Sequence, residues 1–147
     1  MFKSLLNRLI NNYFFRRYPT FKQFVKFSIV GVSNTLLDFG LYLLLTRIFS
    51  INYLIANIFA YSLGVTNSFI FNKIWTFRDK EKKFHFQYLK FWAVSLVGLS
   101  SNELILYLLV KEAHLQDVSA KIIATFIVLF WNFTANKFWT FRQRKKI

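Results

Sequence analysis

The sequence has no cysteine, one proline, four glycines and six acidic residues. Without a thiol there can be no disulfide, zinc–thiolate centre or thiol nucleophile. The only histidines, His85 and His114, lie in loop sequence far from any candidate nucleophile. Neither a glycine-rich phosphate loop nor a cluster with metal-ligand spacing occurs. The chain therefore reads as non-catalytic, with no catalytic residue, no metal and no cofactor. Even the glycines, Gly31, Gly40, Gly64 and Gly98, fall inside apolar stretches rather than in loops. There they suit close helix packing, alongside the small residues Ala56, Ala60, Ala120 and Ala124.

What the chain has in abundance is apolar bulk and positive charge. Its 147 residues suit one domain, are 55% hydrophobic, include 20 phenylalanines and carry a formal charge of +14. A soluble core of this size does not need so many aromatics, and a nucleic-acid binder of this charge is rarely so apolar. Apolar bulk with basic flanks is the pattern of a membrane protein, so no nucleic-acid partner is expected.

The charges mark out the spans. Between Lys26 and Arg47 the only charge is Asp38, and between Lys90 and Lys111 it is Glu103. From Arg47 to Lys73 and from Lys121 to Lys137 there is none. A bilayer core takes about 20 apolar residues per helix. The sequence thus predicts four transmembrane helices near 24–46, 53–73, 88–110 and 118–138, with Lys121 snorkelling to the outer surface. Every basic residue except Arg47, Lys111 and Lys121 falls before the first span, between the second and third, or after the fourth. The positive-inside rule then puts both termini and the central loop in the cytoplasm of a multi-pass cytoplasmic-membrane protein. Residues 1–19 carry apolar residues at helical spacing with Lys3, Arg8, Arg16 and Arg17. They read as an amphipathic interfacial helix stopped near Pro19, not as a signal peptide, with docking to a cytoplasmic partner as the rival use. Residues 144–147 form a basic tail.

The chain repeats itself. NKIWTFR at 72–78 returns as NKFWTFR at 136–142, an offset of 64. Lys26, Phe27, Ala56 and Ala60 find Lys90, Phe91, Ala120 and Ala124 at the same offset. In the odd-numbered helices the offset drifts by a residue or three. VGVSN at 30–34 answers VGLSSN at 97–102, and Asp38 with Tyr42 answers Glu103 with Tyr107. The fold class is all-α: two tandem, parallel helical-hairpin repeats, 24–78 and 88–142, related by a pseudo-two-fold axis along the membrane normal. Each copy of the phrase falls at the cytoplasmic exit of a helix. Trp75 and Trp139 can anchor there at headgroup level, with Arg78 and Arg142 within reach of phosphates.

Polar residues inside the spans are the candidate site. Asn34 and Asp38 share a helix face, and Asn102 and Glu103 are their counterparts in the third span. Asn67 and Asn72 in the second span and Asn132 and Asn136 in the fourth complete the set. A carboxylate at mid-bilayer must face protein or water, pair, or take up a proton, so Asp38 and Glu103 together suggest a polar cavity lined by both repeats. The asparagines serve equally well as interhelical clasps, each worth about 1 kcal/mol.

KFSIVGVSNTLLDFGLYLLL followed by NSFIFNKIWTF resembles the GtrA-like family of small four-helix membrane proteins, over residues 20–143. Lys73 and Lys137 stand where that family favours arginine, which keeps the charge and loses the planar fork. The resemblance implies translocation of a polyprenyl-phosphate-linked sugar, such as undecaprenyl-phosphate glucose, across the cytoplasmic membrane for cell-surface polysaccharide glycosylation. It implies a separate glycosyltransferase as partner, since some relatives fuse the four-helix unit to a dolichol-phosphate-mannose-type transferase and this chain carries none. Phosphate binding then falls to Lys26, Lys73, Arg78, Lys90, Lys137 and Arg142. The sugar falls to Asn34, Asp38, Asn67, Asn72, Asn102, Glu103, Asn132 and Asn136. A homodimer would thicken a wall of four helices. The alternative is a non-transporting anchor or scaffold for a glycosyltransferase. A small multidrug exporter fits less well, because the charge bias resists dual topology and the duplication already supplies internal symmetry.

Overall fold

The computed structural model describes residues 16–142, leaving aside the side chains of residues 53–54 and 117–118. Residues 1–15 of the expected interfacial helix 1–19, and the basic tail, lie outside the described residues. Four long helices make up the fold: α1 (Pro19–Leu43), α2 (Tyr53–Phe71), α3 (Phe84–Lys111) and α4 (Asp117–Ala135). Among the described residues there is no strand. Pro19 sits in the first turn of α1, where its missing N–H costs nothing. Three helical stretches, Pro19–Ile48, Phe84–Lys111 and Ser119–Thr140, are long and apolar enough to cross a membrane. The helix α2 carries Asn57, Ser62, Thr66, Asn67 and Ser68 within an otherwise apolar stretch. Short connections at 49–52 and 112–116 fold α1 against α2 and α3 against α4 as antiparallel hairpins. The outward surface is apolar, with Leu36 70%, Ile74 68% and Leu89 66% exposed. A chain that buries asparagine and exposes leucine and isoleucine is built for lipid, so the molecule is a four-helix membrane protein.

The helices outrun the spans expected from charge. The stretches after α1, α2 and α4 widen into π-helical turns over Leu44–Ile48, Asn72–Thr76 and Asn136–Thr140. In the last two the amide of Phe77 donates to the Asn72 carbonyl at 2.9 Å, and that of Phe141 to Asn136 at 2.8 Å. At a helix C-terminus such a turn satisfies carbonyls that would otherwise lack a partner.

The duplication governs the packing. Phe27, Phe69 and Phe77 and their counterparts Phe91, Phe133 and Phe141 form one aromatic core with Val65. Edge-to-face packing of Phe69 on Phe91 at 5.6 Å is matched by Phe133 on Phe27 at 5.7 Å. The stack of Phe69 on Phe141 at 5.7 Å is matched by Phe133 on Phe77 at 6.0 Å. Phe77 and Phe141, counterparts of each other, stack at 4.9 Å, as residues on a pseudo-two-fold axis should. The loops within the two hairpins obey the same rule: Ser50 and His114 have φ of 51° and 54°.

One expectation is corrected. The offset does not drift in the odd-numbered helices. Buried Phe27, Val30 and Asn34 of α1 are answered by buried Phe91, Val94 and Gly98 of α3, an offset of 64 throughout. The apparent drift came from matching similar letters. A helix turns about 100° per residue, so a one-residue error in register moves a side chain to another face.

Candidate functional site

A polar cavity of about 300 Å³ opens where the four helices meet. The helix α1 contributes Asn34 and Asp38, α2 Tyr61 and Ser68, α3 Ser95 and Asn102, and α4 Asn132. Its walls are kept close by small residues. Ala56, Ala60, Ala120 and Ala124 have no exposed surface. Gly98 makes room for the Asn132 side chain, since a Cβ at Gly98 would lie 2.9 Å from its Nδ2 and 3.0 Å from its Cγ and push the amide aside. Gly64 is less constrained, because a Cβ there would meet Asp38 Cβ at an ordinary 3.7 Å.

The cavity is chemically unfinished. Asn34 accepts a 2.7 Å hydrogen bond from Asn67 Nδ2 through its Oδ1. Its own Nδ2, together with Asp38 Oδ1 and Asn132 Oδ1, is buried with no hydrogen-bond partner in the protein. Buried polar atoms are normally satisfied, and leaving one unpaired costs about 1–3 kcal/mol. Three such atoms around one cavity make a surface ready for hydroxyl groups or water.

The expected site residues separate into groups. Asn34, Asp38, Asn102 and Asn132 line the cavity. Asn67 stands behind Asn34 as its hydrogen-bond partner. Asn72 and Asn136, each 1% exposed, are built into the π-helical turns. Asn72 donates to Ser68 Oγ at 3.2 Å, and Asn136 donates to the Asn132 carbonyl at 2.8 Å while accepting from Thr140 Oγ1 at 2.8 Å. Glu103 is exposed and does not line the cavity, which corrects the expectation that the two carboxylates share it. Asn102 is the counterpart of Asp38, and Glu103 sits one residue round the helix. The residues that sequence reasoning missed include Tyr61, Ser68 and Ser95. The repeat itself points to two of them: Ser68 is the counterpart of Asn132, and Ser95 of Gly31.

The basic residues gather at the other end of the bundle's core. Lys26, 3% exposed, donates to the Trp75 carbonyl at 3.3 Å and lies 4.8 Å from its ring centroid. Lys90 repeats this on Trp139, at 3.4 Å and 5.2 Å. The last carbonyls of a helix lack internal partners, and its C-terminus favours a cation, so each lysine caps the neighbouring helix of its own repeat. Lys73 is engaged by Asp79 and Gln87, and Lys137 donates to Thr20 Oγ1 at 2.7 Å. Arg78, with φ of 50°, and Arg142 are exposed. Among the described residues no group of His, Asp and Glu side chains converges to hold a metal.

Residues 26–141 match the family described as GtrA/DPMS, transmembrane domain, a stretch that begins at Lys26 and ends at Phe141. This chain belongs to the GtrA family. Among GtrA-type relatives, the uncharacterized membrane protein YngA of Bacillus subtilis (strain 168) is 34% identical over 134 residues, covering 88% of this chain and 89% of YngA. YwcD, an uncharacterized membrane protein of the same organism, is 24% identical over 123 residues, 82% of this chain and 97% of that one. A dolichol-phosphate mannosyltransferase of Pyrococcus furiosus is 38% identical over 86 residues, 58% of this chain but only 24% of the enzyme.

Proposed function

We propose that this GtrA protein moves the head of a polyprenyl-phosphate-linked sugar across the cytoplasmic membrane, with both termini and the central loop on the cytoplasmic side. The observation that carries the reading is the unfinished polar cavity inside an apolar bundle, with Asn34 Nδ2, Asp38 Oδ1 and Asn132 Oδ1 unpaired. A sugar head must cross about 30 Å of hydrocarbon while its tail stays in lipid. Hydroxyl groups supply both donors and acceptors, which suits a wall that mixes amide, carboxylate and hydroxyl groups. Asn34, Asp38, Asn102 and Asn132 meet the sugar, and Asn67 orients Asn34. The phosphate is drawn to the basic end of the bundle, where Lys137, Arg78 and Arg142 lie near the caps Lys26 and Lys90, whereas Lys73 is already paired with Asp79. The link to lipid-linked sugars is supported by family membership and by the partial match to a dolichol-phosphate mannosyltransferase.

That same match favours a second reading. It covers a minor part of a longer enzyme, so a GtrA unit can serve as the membrane partner of a transferase without transporting anything. Reconstitution distinguishes the two. Purified protein in vesicles loaded with labelled lipid-linked sugar should expose label on the opposite leaflet, and Asp38→Asn should slow that exposure. An unchanged leaflet distribution with uniformly oriented protein would leave only the scaffold.

A further inference from the structure

The repeats end on the same phrase, yet the lysine in each has different company. In repeat one the Lys73 side chain is 12% exposed and its Nζ lies 3.6 Å from Asp79 Oδ2, in a side chain 2% exposed. It also donates to the Glu81 carbonyl at 3.0 Å and to Gln87 Oε1, and Gln87 donates in turn to Asp79. The cation is thus enclosed with an anion supplied by the chain itself. At the offset of 64 the counterpart of Asp79 is Gln143, so repeat two has no acid at that position in its sequence. Lys137 has no carboxylate within 4 Å among the described residues. With Gln23, Phe141 and Arg142 it lines a pocket of about 240 Å³.

A second difference lies beside the first. The counterpart of Phe84 is Thr20. On the α2–α3 side the Phe84 ring packs against Phe69 at 5.0 Å and Tyr88 at 6.3 Å. On the α1–α4 side Thr20 leaves that volume unfilled among the described residues. There a groove of about 630 Å³ runs between Phe21, Phe24, Phe130 and Phe133. Lys137 and Phe138 line both this groove and the smaller pocket, so an apolar trough leads directly to two cations, Lys137 and Arg142, with no carboxylate partner among the described residues.

We propose that repeat two carries a binding site for a phosphate-headed lipid, with its head between Lys137 and Arg142 and its chain in the α1–α4 groove. Asp79 and Phe84 close the equivalent site in repeat one. The ligand class rests on the function proposed above, but binding is separable from transport.

The test is a titration of the full-length protein in zwitterionic nanodiscs, read by native mass spectrometry for stoichiometry and by calorimetry for affinity. The probes are a short-chain isoprenyl monophosphate, phosphatidylglycerol and inorganic phosphate. Wild type should bind one isoprenyl phosphate per chain. Lys137→Gln should weaken it about tenfold or more, as expected for a lost charge-assisted hydrogen bond. Thr20→Phe should weaken it comparably, by filling the groove and removing the hydroxyl that holds Lys137, while Lys73→Gln changes little. Phosphatidylglycerol competing for the same Lys137-dependent site supports a phosphate-headed lipid site. Inorganic phosphate binding as tightly as the isoprenyl phosphate overturns it, since the groove then contributes nothing. Equal losses from Lys73→Gln and Lys137→Gln, or binding untouched by Thr20→Phe in a variant with wild-type thermal stability, also overturn it, as does binding abolished by the chain's own residues 1–15 and restored when they are deleted. Lys137-dependent binding without translocation in vesicles contradicts the transport reading and leaves this site standing. Translocation unaffected by Lys137→Gln, with binding also unaffected, contradicts this site alone.

Discussion

The aromatic core and the polar cavity are built by the same four helices, but they treat the duplication in opposite ways. In the core the repeats are copies. Phe27, Phe69 and Phe77 have phenylalanine counterparts, and their ring contacts recur within a few tenths of an ångström. In the cavity the counterparts disagree: Asn34 corresponds to Gly98, Asp38 to Asn102 and Ser68 to Asn132. Packing needs only shape, and one shape serves both repeats. A polar site for an asymmetric ligand does not need two equal halves, and here the acid is kept on one side only. Symmetry therefore marks what holds the bundle together, and its loss marks what the bundle handles.

The largest effects should fall in the symmetric region and should come in equal pairs. Phe69→Ala and Phe133→Ala each remove a buried ring and should each destabilise by about 3 kcal/mol, measured by unfolding in mixed micelles. Unequal costs would break the equivalence of the two halves. Next come the unequal pairs in the cavity. Asp38→Asn should lower translocation about tenfold or more, the worth of a hydrogen bond to a charged group, with little change in stability. Glu103→Gln should leave translocation unchanged, because Glu103 is exposed and outside the cavity. The glycines sharpen the contrast further. Gly98→Ala should displace the Asn132 amide and impair translocation several-fold, whereas Gly64→Ala finds ordinary contact distance and should be tolerated. The smallest effect belongs to the Asn34–Asn67 clasp. Asn67→Ala should cost about 0.6 kcal/mol, typical of interhelical hydrogen bonds in membranes, measured by the same unfolding assay.

Much of this was legible in the sequence. Charge spacing located the helices, and the returning phrase at 136–142 revealed the duplication. Asn34, Asp38, Asn102 and Asn132 stood out because polar groups in hydrocarbon are costly. Glu103 stood out for the same reason and misled, because register cannot be read from letter similarity when one residue rotates a side chain by about 100°. Ser68, Ser95 and Tyr61 were missed because hydroxyls are unremarkable in helices, where a serine can bond back to its own backbone, as Ser28 does to Phe24. The capping role of Lys26 and Lys90 was hidden for another reason. Each lysine reaches a carbonyl 49 residues away, and only the folded hairpin brings the two together.

Because the chain has no cysteine of its own, single thiols can report on the cavity without background. Asp38→Cys, Asn102→Cys and Glu103→Cys, reconstituted in vesicles and treated with a small water-soluble thiol reagent, form the decisive set. Thiols at 38 and 102 should react and should be protected by lipid-linked sugar, while the thiol at 103 should neither report on nor respond to that ligand. Protection at 103 with none at 38 and 102 would contradict the cavity as the place where the sugar is held.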